Sequence, residues 1–382
     1  MTPYPLALTR RTAPIGALLR HAAPALLGYL AVRAVGVLVT PAWKGAGLYR
    51  LSTLWDASWY QNLAAHGYAG TAPVPGPHGP YEAYAFFPLY PALIRAVEGL
   101  TPLSVNYAAL LVAWVASLAA AWGIFAVADR LYGRRVGVLA AVLWGVLPYA
   151  VVQSSAYSES LFTALAAWTV YAALQGNWIR TGVLCLLAGL SRPTGIALAA
   201  AVSAVAAWEL LRGRGGWRAA LGAVLAPLGF VGYLGWVGLQ KGRWDGYFRV
   251  QDAWESHFDF GRSTFYSFKD LVAEGDRVWF SQVTVAAVLI ASVLLLAISA
   301  VQRQPPVLLL YSAAMVVLAL GDAAYFNSRA RFLLPAFGLL LPVAAGLGRV
   351  RKQASVVLVI ATAAVCSAFY GGYLAFVYPD AP

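Results

Sequence analysis

A single carboxylate among aromatic residues is the first place in this sequence where chemistry is expected. Asp56 lies in the segment LWDASWYQNLAAHGY at 54–68, between Trp55 on one side and Trp59 and Tyr60 on the other. A carboxylate can accept the proton of a reacting hydroxyl group, which is general base catalysis. The structural alternative is a helix cap, because Asp is a favoured N-cap and ASWYQNLAAHGY can form an interfacial helix. The two roles do not exclude each other, and we predict that Asp56 is a general base.

Five other short polar segments interrupt the apolar sequence: 84–91 with FFPLYP, QSSAYSES at 153–160, SRPTG at 191–195, QDAW at 251–254, and 322–335. Ionisable residues at membrane depth are costly and tend to mark functional sites. For FFPLYP we favour a supporting role, because its prolines fix the chain. The predicted substrate-binding residues are Trp55, Trp59, Tyr60, Tyr157, Glu159, Arg192, Gln251, Trp254, Arg329 and Arg331.

The elements that must position these residues are membrane helices. The chain is 61% hydrophobic and 11% charged, whereas soluble domains carry about a quarter charged residues. Segments of sufficient apolar length predict an all-α polytopic membrane protein with about eleven transmembrane helices. These lie near 21–40, 104–128, 137–152, 159–175, 181–191, 194–211, 219–240, 279–301, 307–321, 332–348 and 354–376.

The net charge of +12 is explained by topology rather than by nucleic-acid binding, because Lys and Arg are scattered between apolar runs. Basic residues favour the cytoplasmic connections. A cytoplasmic N-terminus, with a helical hairpin turning at Arg192 and Pro193, places all six polar segments on the extracytoplasmic side. The cytoplasmic connections then hold Arg10, Arg11, Arg20, Arg130, Arg134, Arg135, Arg180, Arg212, Arg214, Arg218, Arg303, Arg349, Arg351 and Lys352.

Two polar intervals, 41–103 and 241–278, are too long to be simple turns. Both are rich in Trp, Tyr and Phe, which argues against disorder and suits the membrane interface. We interpret them as two longer extracytoplasmic loops, the first carrying Asp56. Residues 1–382 are expected to form a single integral membrane domain without an internal repeat.

Together these residues predict sugar transfer from a lipid-phosphate donor. Asp56 would act as general base, and Arg192, Arg329 or Arg331 would hold the donor phosphate, because guanidinium groups match phosphate oxygens. For each arginine the alternative is an interfacial side chain that extends towards water. Neither a metal nor a cofactor is required, because no carboxylate cluster accompanies Asp56 and the lipid-phosphate sugar is itself the substrate.

Several motifs resemble those of the PIG-V-like mannosyltransferases of the GT-C superfamily: WDASWY at 55–60, FFPLYP at 86–91, YSESLF at 157–162, SRPTG at 191–195, QDAW at 251–254 and RFLLP at 331–335. The resemblance implies a polyprenyl-phosphate-mannose donor, inversion at the sugar carbon, and Asp56 as the catalytic carboxylate. It also implies importance for Trp55, Gln251 and Trp254. SRPTG departs from the Arg-Ser-Asn-Gly form of eukaryotic members at Thr194.

The prediction is therefore a mannosyltransferase in a membrane, with the bacterial plasma membrane favoured by composition. Its expected partners are polyprenyl-phosphate mannose, membrane lipids and a lipid-linked or glycan acceptor, with no nucleic acid. One alternative is a GT-C enzyme for another lipid-phosphate sugar, such as glucose, arabinose or an aminosugar. Another is a secondary transporter or lipid-linked sugar flippase, which usually has its site at the midplane and repeated halves.

Overall fold

Helices make up almost all of the regular structure in the computed structural model, which describes residues 15–44, 47–273, 278–323 and 325–379. The α-helices are α1 Ile15–Lys44, α2 Gly47–Thr53, α3 Ala57–Gly70, α4 Leu89–Leu100, α5 Val105–Tyr132, α6 Arg134–Gly145, α7 Val151–Ser154, α8 Glu159–Leu174, α9 Trp178–Gly189, α10 Gly195–Leu211, α11 Gly216–Lys241, α12 Gly246–Ala253, α13 Arg262–Ala273, α14 Phe280–Val301, α15 Pro306–Gly321, α16 Arg329–Phe332, α17 Leu341–Arg349 and α18 Gln353–Phe376. Short 3-10 helices lie at Ala83–Ala85, Phe326–Ser328 and Phe337–Leu340. The all-α prediction is confirmed.

Every predicted apolar segment contains helix, and several are long enough to cross a membrane. By length and composition 5 described helices qualify, or up to 6 when the bent pair Phe326–Phe332 and Phe337–Arg349 counts as one span. The helices α8, α9, α10 and α15 are apolar but shorter. The chain is an integral membrane protein. Of the predicted cytoplasmic residues, Arg10 and Arg11 lie outside the described residues.

Two predicted segments are interrupted, and each interruption contains a proline. Segment 137–152 divides into α6 and α7 around Pro148. Segment 332–348 is broken at Pro335, and the two parts of the pair are bent by 76°. Proline removes a backbone N–H and clashes with the preceding helical turn, so a helix is interrupted there. The irregular backbone at these breaks leads into the polar residues of the site.

The two polar intervals are largely helical rather than extended loops. The helix expected after Asp56 is present as α3, and α2 and α4 lie on either side of it. In the second interval α12 and α13 were not predicted. Positions 45–46 and 274–277 of these intervals lie outside the described residues.

The predicted turn at Arg192 and Pro193 is present between α9 and α10. Here the chain approaches itself so closely that a Cβ added to Gly195 would lie 2.7 Å from the Cα of Gly189. Glycine permits such close approach between backbones, which is common in packed membrane helices. The turn places Arg192 next to the start of α8.

Candidate active site

Four charged side chains form a continuous chain of ion pairs, which we call the charge chain. Arg331 Nη1 lies 2.9 Å from Asp56 Oδ2, and Arg331 Nε lies 3.3 Å from Glu159 Oε1. The other Glu159 oxygen lies 2.7 Å from Arg192 Nη1. The exposed side-chain fractions are 1% for Glu159, 7% for Arg331, 8% for Arg192 and 23% for Asp56. Asp56 is thus the most accessible member and the one best placed to meet a substrate hydroxyl.

The position of Asp56 is fixed by its backbone, and its carboxylate is left available for Arg331. Asp56 occupies the N-cap position of α3, but its side chain makes no capping hydrogen bond. Its backbone N–H donates to the Tyr157 hydroxyl at 2.8 Å. The preceding residue, Trp55, has a φ of 45°, a left-handed conformation that is strained for a large side chain and tends to occur at functional sites.

The segment between α7 and α8 leads into Glu159, the first residue of α8, and supports Tyr60. The N–H of Ala156 donates to the Leu51 carbonyl at 3.1 Å, which binds this segment to α2. The Ser158 hydroxyl lies 2.7 Å from the Tyr60 hydroxyl and accepts from Arg192 Nη1 at 2.9 Å. Burial raises the pKa of Tyr60 to about 12, so this phenol stays protonated at neutral pH and keeps its hydrogen bond.

The two arginines of the charge chain differ in how much of the guanidinium group is occupied. Arg331 faces two carboxylates, through Nη1 and Nε. Arg192 makes its contacts with Glu159 and Ser158 through Nη1 alone. Its Nε and Nη2 make no hydrogen bond to the part of the chain that the structure describes. Arg192 therefore retains N–H donors that can bind an anionic ligand.

A cavity of about 260 Å³ lies beside Arg192, and we call it the Arg192 cavity. Its polar wall includes Gln251, His257 and Asp322, while Phe230 and Met315 contribute to an apolar wall. The Thr194 hydroxyl is buried at this cavity without a hydrogen-bond partner among the described residues. A buried hydroxyl without a partner is costly, so a ligand oxygen is the expected partner.

A second cavity, of about 370 Å³, is lined mostly by apolar atoms, which belong to α14, to the segment 330–340 and to residues 147–149. We call it the apolar cavity. The short helix α16 separates it from the Arg192 cavity: Ala330 and Leu333 line the apolar cavity, whereas Phe332 lines the Arg192 cavity. The Phe332 ring also lies below the guanidinium groups of Arg192 and Arg331, at 5.9 and 5.2 Å.

No protein-family model and no curated protein matches this sequence. Solved structures do match. ArnT from Cupriavidus metallidurans bound to undecaprenyl phosphate has 18% identity and a TM-score of 0.57, over 96% of this chain and 67% of that one. Its apo state gives a TM-score of 0.55 at 18% identity, over 96% and 66% of the two chains. An oligosaccharyltransferase from Archaeoglobus fulgidus gives 0.54 at 12% identity, over 95% and 59%.

The chain shares its fold with ArnT and the oligosaccharyltransferase, in agreement with the predicted GT-C-type fold. This chain spans about two thirds of ArnT and 59% of the oligosaccharyltransferase. At these identities the likeness establishes the fold, and the narrower PIG-V resemblance stays a prediction.

The predicted aromatic residues form a compact group next to the charge chain. Trp59 stacks on Phe86 with ring centroids 5.5 Å apart, and Trp254 meets the edge of Trp59 at 5.4 Å. Trp55 meets Tyr157 edge to face at 6.2 Å.

Hydrogen bonds support two of the predicted segments. The carbonyl of Phe86 accepts from the hydroxyl groups of Tyr68 and Tyr233, which agrees with a supporting role for FFPLYP. Gln251 donates to the Tyr247 hydroxyl at 2.7 Å and lines the Arg192 cavity.

Arg329 is the one predicted arginine that the fold does not bring to the charge chain. It is 1% exposed and donates to the hydroxyl groups of Thr264 and Ser263 and to the Asp322 carbonyl. These contacts fix the second polar interval against α16. The placement favours a structural role for Arg329 rather than the phosphate contact expected from the sequence.

A buried polar cluster beneath the site was not recognised as part of it from sequence. On α1, Tyr29 donates to Gln153 Oε1 at 3.0 Å, and Arg33 Nη2 donates to the Ser154 hydroxyl at 2.7 Å. The indole N–H of Trp144 donates to the Leu334 carbonyl at 3.0 Å. The cluster thus contacts two of the four segments that carry the charge chain, those that lead to Glu159 and from Arg331. The signals in the sequence were Arg33 inside the first predicted span and the polar residues Gln153 and Ser154 of segment 153–160.

Proposed function

We propose that this protein is a glycosyltransferase that moves mannose from polyprenyl-phosphate mannose to an acceptor hydroxyl. The observation that carries the proposal is the charge chain, which joins an accessible carboxylate, Asp56, to an arginine with free donors, Arg192, at the wall of a cavity. The GT-C fold supports the same reaction class.

The donor phosphate binds at Arg192 in this proposal. The free Nε and Nη2 groups of Arg192 can donate to phosphate oxygens, and guanidinium groups are well suited to bidentate phosphate binding. The buried Thr194 hydroxyl supplies a further donor in the same cavity. The apolar wall with Phe230 and Met315 suits the first prenyl units. The ArnT structure with bound undecaprenyl phosphate supports a lipid-phosphate partner.

Asp56 accepts the proton of the acceptor hydroxyl, and the acceptor oxygen attacks the anomeric carbon of the donor sugar. The bond between that carbon and the phosphate oxygen breaks, and the polyprenyl phosphate leaves with the bonding electrons. Attack from the side opposite the phosphate inverts the configuration. Arg331 Nη1 donates to Asp56 Oδ2 at 2.9 Å and holds the carboxylate in position. Arg192, at the other end of the charge chain, stabilises the charge on the leaving phosphate.

The proposed site faces the extracytoplasmic side, with the N-terminus in the cytoplasm, of a membrane that composition suggests is a bacterial plasma membrane. The support comes from the distribution of Lys and Arg between the connections of the predicted helices. A lipid-linked donor then presents its sugar at the membrane surface, where Asp56 and the aromatic group lie.

The choice of mannose rests on the PIG-V resemblance. The test is to incubate the purified protein in lipid nanodiscs with polyprenyl-phosphate mannose, glucose, arabinose and aminoarabinose, each with a membrane extract as the source of acceptor. Mass spectrometry should detect a mannosylated product and free polyprenyl phosphate, and the Asp56→Asn variant should give neither. If only another sugar were transferred, the assignment of mannose as the donor sugar would be wrong. If no donor were consumed, the proposed glycosyltransferase activity would be wrong.

A further inference from the structure

The polar wall of the Arg192 cavity is not explained by phosphate binding. It consists of Gln251, Ser256, His257 and Asp322. Asp322 is the only carboxylate among the described residues that line this cavity. An ionised carboxylate only accepts hydrogen bonds, and phosphate oxygens accept them as well. The polar wall therefore requires a ligand group that donates hydrogen bonds.

The position of Asp322 is fixed by backbone pairing between the end of α15 and the second polar interval. Asp322 directly follows α15 and forms an antiparallel bridge with Phe258. The N–H of Ala323 donates to the His257 carbonyl at 2.8 Å. A side chain at Gly321 would collide with the Phe258 ring, so the two segments approach each other at a glycine. His257 and Asp322 are therefore held at the same wall of the cavity.

The Asp322 carboxylate lies beside other hydrogen-bonding groups of the polar wall. The Ser256 hydroxyl donates to Asp322 Oδ1 at 3.4 Å. The Gln251 amide donates to the Tyr247 hydroxyl at 2.7 Å, which fixes its orientation. A carboxylate offers about four acceptor positions on its two oxygens. Asp322 can therefore keep its contact with Ser256 and accept further hydrogen bonds from a ligand.

One aromatic ring connects the cavity with the group that holds Asp56. Phe332 lines the Arg192 cavity, and its ring centroid lies 5.2 Å from the guanidinium carbon of Arg331. Arg331 is in turn the ion-pair partner of Asp56. A ligand in the cavity is therefore close to the proposed base.

We propose that the polar wall binds the sugar of the donor and that Asp322 determines which sugar is accepted. The inference rests on the proposed function, because it concerns the donor of that reaction. A polyprenyl-phosphate sugar has three chemically different parts. Arg192 and Thr194 suit the phosphate, and the apolar wall suits the prenyl chain. The polar wall is left for the sugar.

A carboxylate is well suited to distinguish between sugars. Two neighbouring hydroxyl groups of a sugar ring can each donate to one oxygen of Asp322, and hydrogen bonds to an ionised group are stronger than neutral ones. This contact depends on the direction of both hydroxyl groups, so sugars that differ at one carbon should bind with different affinities. A site built to bind a hydroxyl group also rejects a ligand that lacks it, because its polar groups then stay unpaired.

Direct binding tests the role of Asp322 without requiring transfer. Isothermal titration calorimetry on the full-length protein in nanodiscs would use farnesyl phosphate esterified with mannose, glucose or arabinose. Farnesyl methyl phosphate is the matched ligand, because it has the same phosphodiester charge and prenyl chain but no sugar. The measured quantity is the affinity of each glycosyl ester relative to the methyl ester. In the wild type this ratio should reach about tenfold or more for at least one sugar.

Asp322→Asn keeps the shape of the side chain and removes its charge. The affinity ratio of the best glycosyl ester should fall about tenfold, because charged hydrogen bonds are replaced by neutral ones and one acceptor oxygen is lost. The affinity for the methyl ester should be unchanged or higher, which also shows that the variant is folded. Ser256→Ala is a second variant, independent of the stability of Asp322→Asn, and it should lower the same ratio about two- to threefold.

Asp270→Asn is the matched control, because it removes the same charge from an exposed residue of α13 that does not line the cavity. It should leave both affinities unchanged. Arg192→Gln should weaken the binding of both kinds of ester by a similar factor, so that the ratio stays as in the wild type.

Three results would overturn the inference: equal affinity of the wild type for the methyl ester and every glycosyl ester, an unchanged ratio in Asp322→Asn, or an equal loss of affinity for both kinds of ester in that variant. The failure of the proposed function is a different result. If Asp322→Asn lowers the ratio as expected but the wild type transfers no sugar, the transferase assignment is wrong and the sugar-binding role of Asp322 stands.

Discussion

Buried arginines occur in two different environments in this protein, one around Arg33 and one in the charge chain. Arg33, 8% exposed on α1, bonds to neutral groups: the Gly145 carbonyl at 3.1 Å and the Ser154 hydroxyl. In the charge chain, Arg192 and Arg331 face carboxylates, and Arg192 also lines a cavity. Among the described residues Arg33 forms no ion pair with a carboxylate.

The difference distinguishes an arginine that stabilises the fold from arginines that are placed to bind a ligand. The Arg33 guanidinium donates to a carbonyl at the C-terminal end of α6. The helix dipole is negative at this end, so it stabilises the positive charge of Arg33. The charge chain alternates in sign and ends in a carboxylate that is 23% exposed at one end and in an arginine with free donors at the other. Burial alone does not identify a functional arginine. Unused donors and access to a cavity are the features that make Arg192 the candidate for binding an anionic ligand.

The largest expected effect comes from the accessible end of the charge chain. Asp56→Asn keeps the shape of the side chain and removes the base, so the transfer rate should fall roughly 10²- to 10⁴-fold. The free energy of unfolding should change little by comparison, because Asp56 is partly exposed. Kinetics and thermal unfolding of the same preparation would check both. A variant with near-normal turnover would remove Asp56 from the mechanism.

Glu159→Gln tests the centre of the charge chain. The substitution leaves Arg331 with Asp56 alone and Arg192 without its carboxylate partner, and breaking a buried ion pair costs about 3–5 kcal/mol. We expect a marked loss of thermal stability together with a loss of activity. Glu209→Gln, at the end of α10 and outside all ion pairs of the described residues, serves as the control. Equal stability of the two variants would mean that the charge chain does not contribute to folding.

Arg192→Gln and Arg329→Gln compare two arginines that are similarly buried. Losing a charged hydrogen bond to the donor phosphate costs about 1.5–3 kcal/mol, so Arg192→Gln should raise the donor KM roughly 10- to 100-fold. Arg329→Gln should leave the donor KM unchanged, because its donors are occupied by the second polar interval. Steady-state kinetics with varied donor measures both constants. A larger increase in donor KM in Arg329→Gln than in Arg192→Gln would indicate that the donor phosphate binds at Arg329.

Arg33→Met is expected to have the smallest effect on catalysis. It leaves the Gly145 carbonyl and the Ser154 hydroxyl without this donor, which should lower the free energy of unfolding by about 1–3 kcal/mol. The donor KM and the pH dependence of the rate should stay as in the wild type. A change in donor KM comparable to that of Arg192→Gln would show that the two arginine clusters are not distinct.

Much of the fold was predictable, because hydrophobic length determines where membrane helices form. The breaks near Pro148 and Pro335 were missed, although the physical cause, a missing backbone N–H, is local. For the candidate site, residue type alone predicted Asp56 and the polar segments with Tyr157, Glu159 and Arg192, and the structure brings these residues together. The internal structure of the two long intervals was not, since α12 and α13 lack long apolar runs.

The sequence by itself determined an all-α membrane protein with a small set of chemically capable residues. Only the tertiary structure decided which of them act together. Arg331 meets Asp56 across 275 positions of sequence, a separation that no local pattern encodes. Arg329 and Arg331 were equivalent candidates for the phosphate contact. They lie two positions apart on a short helix, and residues at i and i+2 of a helix point to nearly opposite sides. Arg329 therefore faces the second polar interval, and Arg331 faces the Asp56 carboxylate.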